Sequence, residues 1–265
     1  FTNAVTLNYG VGFGEEHGSV LTTQLGQAQW SYVDTSVTYD QIRQSLLAQG
    51  APGAAGLPAS PPNASTLAMG SAEEKALGLI TAGTSPYDGY VGFSSTVGFQ
   101  YSPNTVPVQF SDFYFVAVAE HELAHAMGRI AQLGVNGQYS VMDLFRYASA
   151  GTRMMSNGSP SYFSIDGGVT NLNPWNNPVT GNATADYGDW ATAAGYDAFG
   201  ATGGNGAIDP SLYTLFKIGA DSMCLQIRDA KLANAVIVFV PKKSGVEPTV
   251  NAPKFAIGQS YPNPF

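Results

Sequence analysis

Apolar and polar residues alternate along "NAVTLNYGVGFG" (3–14), with Val5, Leu7, Tyr9 and Val11 on one side, which is the period of a half-buried β-strand. Within "TYDQIRQSLLAQG" (38–50) the period lengthens to that of a helix. Ile42, Leu46 and Leu47 share a face, Thr38 or Asp40 stands near the cap, and Gly50 ends the run. Residues 51–63, "APGAAGLPASPPN", carry too much Pro and Gly for either period and predict a loop. A second helix is expected over "SAEEKALGLI" (71–80), where Ser71 and Glu74 have capping-box spacing. "GYVGFSSTVGFQY" (89–101) reads as a strand or hairpin. A third helix should start at Ser111 or Asp112 and end at Gly128. Beyond it come "SIDGG", "NLNPWNNPVTGN", "DYGDW" and "GATGGNG", text that makes turns and short irregular segments. Strand character returns near 221: "SMCLQIRD" and "NAVIVFVPKK", joined by "AKLA", predict either a small β appendage or an extension of the main sheet.

Composition narrows the classes. A chain of 265 residues, 44% hydrophobic, can bury a substantial core, and 31 Gly with 16 Pro promise many loops. A net charge of −8 argues against nucleic acid; the one tight basic pair, Lys242-Lys243, reads as a solvated strand end. Cys224 is the only cysteine, so there is neither an intramolecular disulfide nor a thiolate zinc site, and its apolar setting suits a buried, inert thiol. No apolar run approaches the roughly 20 residues that span a bilayer. The chain opens at Phe1 without an initiator Met, as a processed or truncated protein would.

The chemistry concentrates in "VAVAEHELAHAMGRIAQLG" (116–134), which holds two of the chain's three histidines. His121 and His125 are four apart, so one helical face turns both imidazoles toward a single point. Zinc takes neutral nitrogen ligands and keeps one position open in catalytic sites, and Glu122 stands beside the first ligand as a general base. This is the H-E-x-x-H logic of metalloproteases. The competing reading is a core helix with incidental polar groups. Val116, Ala117, Val118, Ala119, Ala124, Ala126 and Met127 make the helix apolar on most sides, hence buried. Burying Glu120, His121, Glu122 and His125 there without partners would cost several kcal/mol, a cost that a metal largely removes.

At this point the chain resembles the zincin metalloproteases. "HELAHAMG" (121–128) matches the H-E-x-x-H-x-x-G pattern of the metzincin branch, and "YSVMDLFRY" (139–147) looks like an early Met-turn, with Met142 as a floor beneath the metal. The chain is similar, more closely, to a family of secreted bacterial zincin-like proteases with segments like "GRI" (128–130), "DLFRY" (143–147), "YFSIDGG" (162–168) and "YGDW" (187–190) in that order. With "ALGL" (76–79) and "VGFSS" (91–95), the resemblance covers roughly residues 1–220. It departs at 131, where the metzincin third ligand would fall and where Ala131 cannot bind anything. Asp143 is the first choice instead, because it lies 18 residues after His125, near the interval of the gluzincin acidic ligand, and a carboxylate suits zinc beside two imidazoles. Asp166, Asp186 and Asp189, each in a turn, and His17 in "GEEHGS" are rivals. Tyr147 is a candidate oxyanion donor, with a buried structural tyrosine as the alternative. Asp and Asn clusters in 166–209 are weak candidates for calcium (Ca2+), since no EF-hand-like spacing is present.

The chain stops at "FAIGQSYPNPF" (255–265), which resembles the start of a C-terminal sorting module used for export to the surface in some two-membrane bacteria. The expectation is therefore an α+β zincin-like metalloprotease fold, with a twisted sheet, an active-site helix and a loop-rich C-terminal subdomain. Its parts would be a catalytic domain over 1–220, the β appendage or sheet extension over 221–257, and a sorting tail from 258. The function expected is a secreted, extracellular or cell-surface zinc (Zn2+) endopeptidase acting on peptide or protein substrates. His121, His125 and Asp143 would hold the metal, with Glu122 as base and Tyr147 assisting. The rival is an extracellular structural, self-assembling or adhesive protein on a protease-like fold, associating through the C-terminal β region.

Overall fold

The alternation that begins at Val5 forms a nine-residue strand, Val5–Phe13, inside a five-stranded sheet. In this computed structural model, the described residues are 5–200 apart from 23, 82, 84, 101–112, 178, 180, 182–184 and 195–198, with the segments 223–228 and 234–241. Strand order across the sheet is Met223–Arg228, Asn234–Pro241, Val5–Phe13, Gly89–Phe93 and Gly26–Trp30. Val5–Phe13 runs antiparallel to Asn234–Pro241 (Val5 opposite Phe239) and parallel to Gly89–Phe93 (Tyr9 opposite Gly89). Among the described residues, Gly26–Trp30 closes the order as an antiparallel edge strand, with Gly26 opposite Phe93. The two C-terminal strands thus extend the main sheet. The sorting tail expected from 258 lies outside the described residues.

Val5, Leu7 and Tyr9 are buried as expected, but Val11 is exposed, because Gly12 has taken the covered position. A short hairpin, Glu15–Glu16 with Ser19–Val20, folds back there, and Glu15 occupies the space that a side chain on Gly12 would need. The first helix, α1 (Tyr39–Ala48), starts from Thr38 in a capping box with Gln41: the Gln41 N–H donates to the Thr38 hydroxyl, and the Thr38 N–H donates to the Gln41 side chain. Tyr39, Ile42 and Leu46 form its buried face, while Leu47 turns to solvent. Helix α2 (Ser71–Ala76) is shorter than its sequence suggests. It begins after Gly70, with Glu73 rather than Glu74 reaching back to the cap N–H, and Gly78 in the left-handed region stops it.

The motif helix, α3 (Phe115–Ala126), follows a two-residue strand, Phe113–Tyr114; the expected caps Ser111 and Asp112 lie outside the described residues. It is sandwiched between two cores. Val118 and Ala126 pack with Val5, Leu7, Tyr9, Val91 and Phe93 on the sheet, whereas Ala124 packs with Ile42, Leu144, Phe163, Trp175 and Trp190 below. That double burial explains why its sequence is apolar nearly all round. The lower region is irregular, held by a small sheet ordered Thr152–Arg153, Arg146–Ser149, Tyr162–Phe163, Asn173–Pro174 and by a short 3-10 helix, Val141–Phe145. No helix of the described residues is long and apolar enough to cross a membrane.

Polar groups stitch α2 to the sheet. The Asp88 carboxylate, 1% exposed, accepts from the Lys75 ammonium at 2.7 and 2.9 Å, the Ser71 hydroxyl at 2.7 Å and the Asn8 N–H at 2.8 Å. Removing it leaves three donors, one of them charged, without their acceptor. Asp88→Ala should therefore lower unfolding free energy by roughly 3–5 kcal/mol, read by urea denaturation. Glu74 supplies a pH signature. Burial and the adjacent Asp34 charge push its carboxyl up to about 7. The folded chain then holds a proton that the unfolded chain releases, so this group removes stability as pH rises from the ordinary carboxylate range through about 7. Glu74→Gln should match the parent protein at low pH and exceed its stability at pH 8; an equal gain at both ends would contradict this assignment.

Candidate metal centre

Helix α3 carries His121 and His125 one turn apart, and their Nε2 atoms lie 3.0 Å from each other. The helix ends where Gly128 adopts φ +117°, a conformation that side chains rarely allow, and Glu73 fills the space beside it. The chain then turns under the histidines. The Gly128 N–H donates to the His125 carbonyl at 3.0 Å, and the Arg129 N–H to that of Ala124 at 2.9 Å. This turn brings the Arg129 carbonyl to 2.6 Å from His125 Nδ1, which donates to it. Nε2 is left facing His121 and Asp189, and a backbone carbonyl on the other ring nitrogen is how metal-binding histidines are commonly held.

Asp189 completes the convergence. Its Oδ1 lies 3.1 Å from His125 Nε2 and 3.4 Å from His121 Nε2. Three ligand atoms on a tetrahedral zinc at 2.0–2.1 Å would be separated by about 3.3 Å, so these atoms have the dimensions of one face of such a tetrahedron. Among the described residues, this is the one group of three His, Cys, Asp or Glu side chains placed to hold a metal ion.

Asp189 is aimed from several sides. Its Oδ2 accepts the Asp186 N–H at 3.0 Å, which turns Oδ1 toward the imidazoles. Arg146, 2% exposed, donates to the Tyr187 and Asn176 carbonyls at 2.9 and 3.0 Å. Asn176 in turn donates its side-chain amide to the Ala185 and Asp186 carbonyls, and its N–H to that of Asp189. Gly188 matters for the same reason: a Cβ there would lie 2.9 Å from the Arg129 carbonyl oxygen and 3.4 Å from the Ala131 nitrogen. The "YGDW" turn is therefore seated directly on the exit from α3, beside the position where Ala131 offers no ligand.

The charges reinforce one another. Burial works against ionised Asp189, but His125, His121 and Arg129 together hold its carboxyl below the usual range. Burial would lower His125, yet the Asp189 carboxylate outweighs it and leaves the imidazole raised. Glu122, 8% exposed, is pushed up to about 7 by burial, with Asp189, Asp186 and Glu16 adding to the rise and His125 opposing it. Its carboxylate sits beneath the edge strand: a Cβ on Gly26 would lie 2.8 Å from Glu122 Oε1.

The structure does not bring Asp143 to the histidines. Its Oδ2 accepts three backbone N–H groups, from Gln132 at 3.2 Å, Leu133 at 2.9 Å and Ser140 at 2.9 Å, which pins the loop after α3 to the 3-10 turn. The residues between His125 and Asp143 form turns and short 3-10 segments, and the carboxylate is taken up by backbone. Tyr147 is likewise packed away, its ring 4.9 Å beneath the Arg153 guanidinium and against Gly168. Asp166 closes its own turn, accepting from Ser164 and Thr170 and held at about 2 by those bonds. His17 lies edge-on to Tyr90 with ring centroids 3.8 Å apart. Asp186 stands at the margin, its Oδ2 3.9 Å from His125 Nε2 and its side chain mostly exposed. Met142 packs against the lower core with Ala124 and Leu144.

Comparison with protein-family models, with curated proteins and with solved structures returned no match.

Two substitutions separate the roles of the aspartates. Asp189→Ala should abolish stoichiometric zinc uptake in a folded protein. Asp143→Ala should retain the histidine–Asp189 group but cost about 3 kcal/mol, because three N–H groups, two of them buried, lose their acceptor. Gly188→Ala should weaken zinc binding roughly tenfold or more by lifting the turn from residues 129–131. Zinc titration and denaturant unfolding of each variant check these outcomes.

Proposed function

We propose that the chain is a secreted zinc endopeptidase on a zincin-like fold. The observation that carries this reading is the meeting of His121 Nε2, His125 Nε2 and Asp189 Oδ1, with the Glu122 carboxylate alongside under the edge strand. Two imidazoles and one carboxylate, each buried or half-buried, form a donor set suited to zinc, and three protein ligands is the number that catalytic zinc sites use. Zinc supplies a Lewis acid that polarises a peptide carbonyl and makes water acidic near neutral pH.

The remaining work falls to the chain's own residues. Glu122 takes the proton from the attacking water and returns it to the departing amine, a shuttle favoured by a carboxyl that titrates near neutrality. Gly26, by lacking a side chain, gives that carboxylate its room. Gly26–Trp30 pairs along one side with Gly89–Phe93 and is the last strand in the sheet order among the described residues, which would let an extended peptide add to its other side and lie across α3. Such pairing uses main-chain groups and tolerates many side chains. The resemblance of "FAIGQSYPNPF" to a surface-export signal supports a place outside the cell.

The test uses the purified full chain with an unfolded protein substrate. One zinc per chain, activity lost on chelation and restored by zinc, and a roughly 10²–10⁴-fold loss in Glu122→Ala with zinc retained are the expected results. A metal-free, inactive protein that assembles into polymers would favour the structural rival.

A further inference from the structure

The reaction above leaves Asp186 without a task, although its carboxylate stands at the rim of the metal centre. Its Oδ2 lies 3.9 Å from His125 Nε2, the ring nitrogen that faces His121 and Asp189. That separation is too long for a hydrogen bond. It is close to the spacing of the three ligand atoms themselves, 3.0–3.4 Å.

An aspartate in a turn ordinarily closes it by accepting backbone N–H groups, as Asp166 does from Thr170. Asp186 does not. Its turn is closed by Asp189: the Asp186 N–H donates to Asp189 Oδ2 at 3.0 Å, and the Asp189 N–H donates to the Asp186 carbonyl at 3.2 Å. The Asn176 amide donates to the same carbonyl at 3.2 Å. These bonds fix the backbone and leave the carboxylate aside; among the described residues, no hydrogen-bond donor holds it. Its side chain is 79% exposed, against 5% for that of Asp189. One turn thus presents two carboxylates to the histidines, one buried and anchored, the other in water and able to change rotamer.

Charge gives the second carboxylate a use. Two neutral imidazoles and the Asp189 carboxylate leave one positive charge uncancelled on a divalent ion, so an anion is favoured at the remaining tetrahedral position. A carboxylate tethered three residues from a ligand competes there at the effective concentration of a short linker, on the order of millimolar. It also leaves at little cost, because water solvates it and screens its attraction to the site.

We propose that Asp186 is a fourth, displaceable ligand, which closes the metal centre until a substrate takes its place. This rests on the metal-centre reading above and adds a means of regulation to it: the position that a substrate needs is held from within the chain.

The experiment titrates imidazole into the Co2+-loaded full-length parent, Asp186→Asn and Asp186→Ala, at a pH where imidazole is neutral, and reads binding from the visible spectrum. A neutral probe gains little from the mere loss of a nearby negative charge, but it gains from the loss of a competitor. Both variants should take up one Co2+ per chain and show bands shifted from the parent's. Both should bind imidazole roughly tenfold or more tightly, as expected where the position is open in the parent no more than about a tenth of the time. Thermal unfolding of each metal-free protein serves as the folding control, and Asp186→Asn carries the test alone should Asp186→Ala not fold. Parent-like bands and imidazole affinity in the variants would overturn the proposal and leave the metal centre standing. Tightening in Asp186→Ala but not in Asp186→Asn would overturn it too, since relief of crowding would then be the cause. So would a folded variant that takes up no Co2+, because the ligand would be indispensable rather than displaceable. A parent that takes up neither Zn2+ nor Co2+ would overturn the metal centre itself, an outcome distinct from all of these.

Discussion

Two imidazole nitrogens and a carboxylate oxygen within 3.0–3.4 Å of one another need positive charge at their centre. Their lone pairs converge in a region shielded from water, where the dielectric is low and repulsion is poorly screened. A proton shared among them, or a metal ion, satisfies the group; bare acceptors do not. The rest of the structure can be understood as the means of holding that arrangement. Helix α3 fixes the two histidines because it is gripped on both sides by core. The turn at Gly128 supplies the carbonyl that fixes the ring of His125. A distant turn, 64 residues beyond His125 in sequence, delivers the oxygen.

The irregular lower region does this work without long secondary structure. Its backbone groups must find partners when buried, and polar side chains provide them. Asp143 satisfies three N–H groups beneath the loop that leaves α3. Arg146 and Asn176 satisfy the carbonyls and N–H of the turn that carries Asp189. Trp175 and Trp190, with ring centroids 4.4 Å apart, bind the two strands of text together in the core. These interactions give loops the rigidity that a metal ligand requires.

Much of this was legible in the sequence where the cause is local. The alternation at Val5–Tyr9, the helix beginning near Thr38 and the i, i+4 histidines each depend on residues a few positions apart, and each appears where expected, whereas the capping box expected at Ser71 and Glu74 moves one residue back to Gly70 and Glu73. The third ligand is a long-range property. Asp143 had the more suggestive spacing, but spacing cannot show that its carboxylate is engaged by the backbone of Gln132, Leu133 and Ser140. Asp189 stood among the turn aspartates, inside "YGDW", with no spacing to single it out. The order of "GRI", "DLFRY" and "YGDW" acquires a physical sense in three dimensions, since Arg129, Arg146 and Asp189 belong to one connected assembly. Likewise, burial at Val11 and Leu47 was misjudged because the hairpin at Glu15 and the solvent side of α1 are settled by tertiary packing.

The most direct measurement is a zinc anomalous-difference map from crystals of the full chain. The account predicts one strong peak, about 2.0–2.2 Å from His121 Nε2, His125 Nε2 and Asp189 Oδ1 together. A peak ligated by Asp143, or no peak between the two imidazoles, would contradict it.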